Sequence, residues 1–337
     1  TECMRINLRE SLRQFDIQDS DGNPVDFDDL PARRVLRGDH VLSEVVLRYR
    51  NRDSSEERWC TCRPRPIRDS LGRPYLVVSV FRDITARKNS ERRATFLDEV
   101  TEIFARTLEL QGTLEALAKV TVPFLADWIS VELMDKREVL RPILIHHTDP
   151  QRIQDLVELE GKYGDKSTAN YEVFRTGVPC LMAEIDDSVV QKYAKDEVHL
   201  AGLRAMQFTS YLCVPLKCRD RVMGVLNLML GAGGRRFGKD EMALAQELAY
   251  RTAWAIENAR LYEQVKAQKE LLYSVFMQTP AAISVMRGPR LTFELVNDPY
   301  RRLTGAHREV IGKSVEEAFP DLDTTVLEMI RRAGLRG

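Results

Sequence analysis

Long hydrophobic runs are missing from this sequence of 337 residues. The most apolar stretches, Tyr75–Phe81 and Val222–Leu230, are much shorter than the ~18 apolar residues that suggest a membrane-spanning helix. A signal peptide is missing as well, because no apolar segment follows a positively charged N-terminal region. We therefore predict no membrane contact within this chain and a cytoplasmic location, with any membrane anchor lying outside it.

An excess of charge of one sign is also missing. The sequence contains 50 Lys and Arg residues and 51 Asp and Glu residues, which gives a formal net charge of -1. Such a chain has no overall basic field that would attract nucleic acid or an anionic membrane. We predict no nucleic-acid partner.

Cysteine is scarce, and its spacing excludes two common uses of the residue. None of the six cysteines forms a C-x-x-C pair, and their scatter does not suggest a disulfide framework. Cys60 and Cys62 share one face of a predicted strand, so a thiol pair or a soft-metal site is one interpretation. Packing as small hydrophobic side chains is preferred, and the same holds for Cys180, Cys213 and Cys218. No metal site is predicted.

The remaining composition is that of a folded protein. Hydrophobic residues make up 44% and charged residues 30% of the chain, which excludes a disordered polypeptide. Its length suggests two or three domains. Because it begins at Thr1 and ends at Gly337 without a closing element, we expect it to be an internal segment of a longer protein.

The first 90 residues predict an antiparallel meander. Residues 14–31 are predicted to form a turn-rich loop, and a short helix follows at Leu30–Gly38. Three strand candidates, Val41–Arg50, Arg58–Ile67 and Tyr75–Phe81, are joined by short polar loops. The last of them is apolar on both faces, so we expect this domain's core to cover one face and a helix or a partner chain to cover the other.

A strand runs directly into a helix at Asp83-Ile84-Thr85. Apolar residues recur at helical spacing from Phe96 to Phe104, and the helix is predicted to begin near residue 85. The side chains of Asp83 and Thr85 can accept hydrogen bonds from free N–H groups at the helix start. We therefore interpret these two residues as a signalling hinge and not as catalytic residues.

The middle of the chain alternates between helices and strands. Helices are predicted at 95–119, 150–163 and 186–205, and strands at 128–134, 139–146, 208–217 and 221–230. The sequence SYLCVPLKCRDRVMGVLNLML is the clearest hairpin, because two apolar strands flank the polar turn Arg219-Asp220-Arg221.

A very long helix is predicted from Lys239 to about residue 278, since neither Pro nor Gly interrupts this stretch. Its later part carries a weak coiled-coil seam. The seam consists of Ala255, Ala259, Tyr262, Val265, Leu272 and Phe276. We predict a homodimer formed through the helices around 86–104 and 245–276, the alternative being a surface helix packed on its own domain. Short strands (AAISVM, LTFELVN) and short helices (PYRRLTG, SVEEAFP) follow.

Three segments resemble known sensory families. The segment from DGNPVDFDDLP to RPYLVVSVFRDITARK resembles the C-terminal part of a PAS domain, and Asp83-Ile84-Thr85 matches that family's DIT motif. Residues 96–265 resemble a GAF domain through FLADWISVELMD, RTGVPCLMAEI, YLCVPLKCRDRVMGVLNLML and RRFGKDEMALAQELAYRTAWAIENARLYEQ. Residues 271–322 resemble the first half of another PAS domain, in which Asn297 matches the Asn after the second strand.

These resemblances imply an α+β fold class, with antiparallel-sheet PAS and GAF domains joined by long signalling helices. The implied domains are a C-terminal part of a PAS domain (1–88), a GAF domain with flanking helices (89–270) and an N-terminal part of a PAS domain (271–337). Tandem modules of this kind resemble the sensory part of bacterial histidine kinases in two-component phosphorelays. The resemblance implies small-molecule or partner sensing. The sensor array of a PP2C-like serine/threonine phosphatase and a ligand-free dimerisation scaffold are the alternatives.

Catalytic signatures are missing from the sequence. No histidine lies in an H-E-x-x-P-like helix, and the Gly-rich stretch at 231–234 is interpreted as a loop and not as a phosphate-binding lid. The five histidines are His40, His146, His147, His199 and His307. We therefore predict no catalytic residue in this segment, and any kinase activity is expected elsewhere in the parent protein.

Ligand signatures are equally sparse. His146 and His147 are adjacent on a predicted strand and point to opposite faces, so they do not readily chelate one metal. The bilin-attachment pattern and the Asn-Lys-x-x-Phe-Asp-Glu motif of related GAF domains are not found, which leaves the cofactor unknown. The arginine groups at 33–37 and 301–302 are interpreted as solvated faces.

Overall fold

The computed structural model describes residues 12–39, 44–52, 57–106, 109–163, 168–231, 233–305 and 309–334. Cys3, His40, His307, the start of the strand predicted at 41–50 and both chain termini lie outside the described residues. The chain divides into two compact units, Thr1–Glu257 and Asn258–Gly337. Both units combine helices with antiparallel sheets, which confirms the predicted α+β class.

The first unit begins with an antiparallel sheet in the order β1-β2-β3-β4, here called the N-terminal sheet. Its strands are β1 (Phe15–Gln18), β2 (Val45–Asn51), β3 (Glu57–Arg68) and β4 (Pro74–Asp83), and helix α1 spans Pro31–Leu36. The meander of β2 to β4 is confirmed, whereas β1 occupies part of the predicted loop. Asp69 organises the β3–β4 turn, because its carboxylate accepts hydrogen bonds from the backbone N–H groups of Leu71 and Arg73.

Neither face of β4 is covered along its whole length by the described residues, and cover by a partner chain stays a prediction. Tyr75 and Phe81 on one face are 64% and 63% exposed, and Val78 and Val80 on the other are 49% and 59% exposed.

Helix α2 (Thr85–Arg106) leads from β4 into a second sheet, here called the central sheet, with the strand order β6-β5-β9-β8-β7. Its strands are β5 (Trp128–Met134), β6 (Leu140–His147), β7 (Cys180–Met182), β8 (Ser210–Cys218) and β9 (Arg221–Leu230). The β8–β9 hairpin confirms the sequence prediction, and Arg219 occupies its turn with φ of 55°. All neighbouring strands are antiparallel.

Alternate residues of these strands face different surroundings. One face, here called the core face, packs into the largest apolar cluster and includes Ile129, Val131, Leu212, Val214, Leu226 and Leu228. The opposite face, here called the cavity face, includes Trp128, Ser130, Glu132, Tyr211, Asn227 and Met229. Both faces are buried, so these strands are nearly apolar throughout. Most of the polar residues that interrupt them lie on the cavity face, whereas Ser210 at the start of β8 is on the core side.

Three helices cover the core face: α2, α3 (Leu110–Phe124) and the first part of α8 (Lys239–Gln278). Phe96 of α2 stacks on Phe124 with ring centroids 4.6 Å apart. Arg251 of α8 donates a hydrogen bond to the Leu97 carbonyl oxygen at 3.2 Å. The apolar stripe predicted on residues 86–104 therefore packs into the core of its own domain.

Two predicted helices are each two helices in the structure. The helix predicted at 95–119 is divided between α2 and α3, and the one at 186–205 is divided between α6 (Asp187–Tyr193) and α7 (Glu197–Met206). Asp186 and Asp196 cap α6 and α7, since their carboxylates accept from the N–H groups of Val189 and His199. The helix predicted at 150–163 is α4 (Pro150–Tyr163), while α5 (Ala169–Thr176) and β7 were not predicted.

The predicted long helix is confirmed as α8, which has 40 residues. Its side chains are largely buried as far as Ala259 and are then exposed from Arg260 to Tyr273. The exposed part includes Leu261, Tyr262, Val265, Leu271 and Leu272.

The second unit contains a two-stranded sheet of β10 (Ser284–Arg287) and β11 (Thr292–Val296), followed by α9 (Asp298–Thr304), α10 (Val315–Ala318) and α11 (Thr324–Gly334). Asn297 is fully buried and organises this unit. Its Oδ1 accepts from the N–H groups of Ile283 and Tyr300, and its Nδ2 donates to the Ala281 carbonyl oxygen at 2.7 Å. Helix α11 was not predicted.

Gly224 in β9 allows β5 to approach β9 closely. A Cβ atom at this position would lie 2.0 Å from the Glu132 carbonyl oxygen. We predict that Gly224→Ala destabilises the protein by about 1–3 kcal/mol, because the two strands must separate. Gly161→Ala is the control, since a Cβ there meets open space within a helix, and it should leave stability unchanged or raise it by up to about 1 kcal/mol. Chemical denaturation measures both, and equal effects would contradict the close approach.

Candidate functional site

A cavity of about 240 Å³ lies against the cavity face of the central sheet. Helices α4 to α7 and strand β7 form its other walls. Its apolar lining consists of Leu156, Leu159, Met182, Ile185, Val189, Val190, Leu203, Phe208 and Met229. The cavity is thus largely apolar and is bounded by a sheet on one side and short helices on the other, as is typical of small-molecule sites.

The floor of the cavity is polar. Ser130 and Asn227 lie directly opposite each other on β5 and β9, and Asn227 Nδ2 donates to Ser130 Oγ at 3.0 Å. The same Nδ2 donates to Glu132 Oε1 at 2.7 Å. Asn170, at the start of α5, donates from Nδ2 to Glu132 Oε1 at 2.8 Å. These bonds attach the start of α5 to the middle of the central sheet.

Glu132 is the one carboxyl group of this floor among the described residues, and it is only 5% exposed. Burial raises the pKa of its side chain, because an ionised carboxylate loses its hydration in the protein interior. Hydrogen bonds from Asn170, Asn227 and Ser130 favour the charged form and partly oppose this rise in pKa. The carboxyl group lies directly behind the cavity-lining amides.

Tyr211 of β8 completes the floor. Its hydroxyl group lies within hydrogen-bond distance of Asn227 Oδ1 at 2.9 Å and also of Asn170 Oδ1. Burial raises the pKa of Tyr211 well above its ordinary value, so the phenol stays protonated. The site therefore offers neutral hydrogen-bonding groups beneath apolar walls.

Aromatic side chains shape another part of the cavity wall. The Tyr163 ring stacks on the His199 ring with centroids 4.3 Å apart and planes at 5°. The Tyr163 hydroxyl donates to Asp196 Oδ1 at 2.9 Å, and the Lys195 ammonium donates to the Tyr163 carbonyl oxygen. These contacts fix the end of α4 against the start of α7.

Sequence reasoning missed this site. The signal was available as polar residues inside apolar strands, namely Glu132 in WISVELM and Asn227 in GVLNLML. Asn170 and Tyr211 carry no such signal, since only the fold brings α5 and β8 beside the two strands.

The predicted hinge residues lie far from these polar groups in the fold, at the junction of β4 and α2. Asp83 Oδ1 accepts a hydrogen bond from the Thr85 N–H at 2.8 Å, and this bonding lowers the pKa of Asp83. The Thr85 hydroxyl accepts from the Trp59 N–H at 2.9 Å, so it joins the helix start to β3. The Ile84 N–H donates to the Trp59 carbonyl oxygen at 2.9 Å. The start of α2 is thus held by both neighbouring strands.

The cysteines considered in the sequence analysis pack among other side chains. Cys60 and Cys62 pack with Leu47 in a small apolar cluster, and burial raises the pKa of both thiols. Cys213 of β8 and Cys180 of β7 lie opposite each other in the strand register, and both are free thiols. Cys218 lies in the main apolar cluster.

His147 and the arginines near residue 33 also have local partners. The His147 ring packs on Trp128 with centroids 4.3 Å apart, and its Nδ1 accepts from the Asp149 N–H. His146 is on the same strand, and burial lowers its pKa. The arginines near residue 33 form exposed ion pairs with neighbouring aspartates, as predicted. These pairs are Arg33–Asp28, Arg34–Asp39 and Arg37–Asp29.

Comparisons with known proteins identify two families. Residues 93–256 match the model of the GAF domain, and residues 30–89 match a model of the PAS fold. None of the helices among the described residues is long and apolar enough to span a membrane.

Several solved structures are similar over the central part of the chain. The GAF domain of a phosphoenolpyruvate-protein phosphotransferase from Coxiella burnetii is 17% identical, with 52% of this chain and 99% of that chain covered and a TM-score of 0.41. The corresponding domain from Acinetobacter is 17% identical over 51% and 95% of the two chains, with a TM-score of 0.38. Free methionine-R-sulfoxide reductase from Neisseria meningitidis is also 17% identical, over 51% and 93%, with a TM-score of 0.36.

Burial of Glu132 predicts a pH-dependent stability. Its pKa is raised in the folded state, so the folded protein binds this proton more tightly than the unfolded chain. The resulting stabilisation is complete below the unfolded pKa and is lost as the pH rises through the folded pKa. Glu132→Gln removes the titration and keeps an uncharged side chain of the same shape.

We therefore expect the stability of the wild type relative to Glu132→Gln to fall as the pH rises above about 4, the ordinary range of a Glu side chain, with a slope of at most about 1.4 kcal/mol per pH unit. Urea denaturation across this range measures it. Glu99→Gln on the exposed side of α2 is the control and should track the wild type. A stability difference that is independent of pH would contradict the raised pKa.

Proposed function

Because this chain contains a PAS fold followed by a GAF domain, we propose that it is the sensory and signal-transmission segment of a bacterial multi-sensor histidine kinase of a two-component phosphorelay. In this proposal the GAF cavity binds a small molecule, and the helices that flank the GAF domain carry the response. Residues 271–337 form the N-terminal part of a second PAS domain.

One observation carries the sensing role: the cavity and the flanking helices lie on opposite faces of one sheet. Ser130 and Asn227 face the cavity, whereas their strand neighbours Ile129 and Leu228 face α2, α3 and α8. A ligand that shifts β5 or β9 therefore moves side chains that contact α2 and α8. Differential affinity of the ligand for two arrangements of these helices is what biases one over the other.

The junction at residues 83–85 supports a path between the two domains. The Thr85 N–H donates to Asp83, and the Thr85 hydroxyl accepts from the Trp59 N–H. These two bonds attach the start of α2 to the N-terminal sheet. The same helix inserts Phe96 and Val100 into the GAF core. A change at either end of α2 is therefore transmitted along one continuous helix.

Two alternatives remain. The same sensory array is compatible with a PP2C-like serine/threonine phosphatase, and the parent sequence after Gly337 separates the two. A phosphoacceptor histidine in an H-E-x-x-P-like helix supports the kinase, and an acidic metal-binding core supports the phosphatase. The second alternative is a dimerisation scaffold that binds no ligand.

Native mass spectrometry of the purified chain tests sensing against scaffolding. We expect a retained small molecule in the wild type and its loss in Leu203→Trp, because the indole fills the cavity. Val198→Trp is the control, since Val198 is on the same helix and is 62% exposed. The unliganded mass in all three proteins, with and without added cell extract, would favour the scaffold.

The hinge role predicts altered regulation in a folded protein. Asp83→Ala and Thr85→Ala in the full-length parent should change stimulus-dependent output, because each removes a contact that directs α2. A coupling energy between sites is typically about 1–3 kcal/mol, so a modest local loss is enough. The melting temperature should fall by less than about 4 °C, as for a change of about 1 kcal/mol in a domain of this size.

Asp98→Ala is the matched control, because Asp98 is exposed on the same helix. Normal regulation in both hinge variants would exclude the signalling role. Global unfolding of either variant would instead show that the junction is structural.

Assembly provides a further prediction. The exposed apolar residues in the second half of α8 support a homodimer formed through this helix, since a long helix needs a partner for its apolar stripe. We expect a dimer in sedimentation experiments at tens of micromolar, where a dissociation constant near 1 μM (about 8 kcal/mol) gives mostly dimer. Val265→Asp with Leu272→Asp should give the monomer, and Val198→Asp should not. A monomeric wild type would contradict the proposal.

A further inference from the structure

Two cysteines face each other at the edge of the central sheet. Cys180 of β7 and Cys213 of β8 are directly opposite in the antiparallel register, so their side chains project from the same face of the sheet. Cys213 belongs to a small apolar cluster with Leu140, Val173 and Val225, and Cys180 packs against that cluster. Both thiols are free, Cys213 being buried and Cys180 partly exposed.

The backbone places these two thiols almost within bonding distance. The Cα atoms of opposite residues in antiparallel strands are about 4.5–5.5 Å apart, which is within the range for a disulfide. Their Cβ atoms are about 4.5–5.5 Å apart, whereas a disulfide needs about 3.5–4.5 Å. Strand β7 has three residues and is the edge strand of the central sheet, bonded to β8. A small movement of β7 towards β8 is therefore enough to join the two sulfur atoms.

No other two cysteines are placed in this way in the part of the chain that the structure describes. Cys60 and Cys62 are two positions apart on β3, so their parallel Cα–Cβ bonds are separated by about 6.5 Å. Cys218 is also on β8, but it belongs to the apolar cluster of the core face. Disulfide formation is thus restricted to Cys180 and Cys213.

We propose that Cys180 and Cys213 form a reversible disulfide in the presence of a hydroperoxide, so that the GAF domain also senses oxidants. The Cys180 sulfur attacks one oxygen of hydrogen peroxide, the O–O bond breaks, and a sulfenic acid and one water are formed. The Cys213 sulfur then attacks the Cys180 sulfur, the S–O bond breaks, and a second water leaves. The two thiols lose two electrons and two protons, and the peroxide is reduced to two waters.

Burial decides which thiol reacts with the oxidant. It raises the pKa of both Cys180 and Cys213, which lowers the thiolate fraction and slows the attack. Cys180 is the partly exposed residue of the pair, so peroxide reaches it first. Cys213 needs no contact with solvent, because its partner sulfur lies on the neighbouring strand.

The disulfide acts on the wall of the cavity. Met182 is the last residue of β7 and Ile185 follows it, and both line the cavity. In the reduced protein β7 is held to β8 by the pairing of three residues. A covalent bond at Cys180 holds this wall more firmly, whether or not the cavity contains a ligand.

Peptide mapping by mass spectrometry tests the pairing. The complete chain is treated with hydrogen peroxide, the remaining thiols are alkylated, and the monomer from a non-reducing gel is digested with trypsin. The two cysteines lie on the separate tryptic peptides 176–192 and 205–217, and Cys218 lies on neither. We expect these peptides to be joined, with a mass lower by two hydrogen atoms than the sum of the reduced peptides, and to be separated by a dithiol reductant.

Hydrogen exchange tests the effect on the cavity wall. The amides of residues 180–185 should exchange at least about threefold more slowly in the peroxide-treated wild type than in the reduced wild type. Cys180→Ser should show neither the joined peptides nor the slower exchange. Cys218→Ala is the matched control, since it removes a thiol from the opposite side of the same strand and should retain both.

The pairing is wrong if peroxide leaves Cys180 and Cys213 as separate alkylated thiols. Oxidation of Cys180 without linkage to Cys213, or a disulfide from Cys180 to any other cysteine, would also overturn it. Unchanged exchange of residues 180–185 in the linked protein would contradict the effect on the wall. None of these results affects the proposed binding of a small molecule in the cavity, which native mass spectrometry tests separately.

Discussion

The central sheet has to bury two faces, and the two faces are covered in different ways. The core face packs against three helices through a continuous set of Ile, Val and Leu side chains. The cavity face is covered by four short helices that do not fill the space above the sheet. Close packing is the normal state of a protein interior. The proposed ligand site rests on this unfilled apolar space with an organised polar floor.

The polar floor of the cavity is also buried, because it lies on one of the two buried faces of the central sheet. Ser130, Glu132 and Asn227 occupy alternate positions of strands whose intervening residues are all apolar. Their burial is tolerated because they bond to one another and to Asn170. A network of this kind holds the start of α5 against the sheet. Replacement of any of its bonds by a ligand would therefore change how α5 is held.

The two ends of the sensory path are built from ordinary interactions. At one end, Thr85 and Asp83 fix the start of α2 through hydrogen bonds to the N-terminal sheet. At the other, α8 leaves the GAF core after Ala259 with exposed apolar side chains.

Periodicity predicted most of the fold, and the failures have physical causes. The central strands were predicted because strong apolar patterns extend over each of them. Helix α8 was predicted because neither Pro nor Gly interrupts its sequence. Helices α6 and α7 were merged because the capped break between them leaves little trace in the apolar pattern. Strand β4 was expected to be covered because both of its faces are apolar, whereas an apolar pattern does not show which elements pack on a strand.

The cavity could be predicted only in part. Glu132 and Asn227 interrupt apolar strands and are visible as anomalies in the sequence. Asn170 and Tyr211 become partners only through the antiparallel register and the placement of α5, which local sequence does not encode.

Hydrogen exchange measured by mass spectrometry most directly tests whether the cavity is coupled to the helices across the sheet. Leu203→Trp fills the cavity, and Val198→Trp places the same indole on the exposed side of the same helix. Coupling across the sheet predicts that the exchange of the α2 amides around Phe96 and Val100 changes in Leu203→Trp alone. Identical exchange of α2 in both variants and the wild type would contradict it.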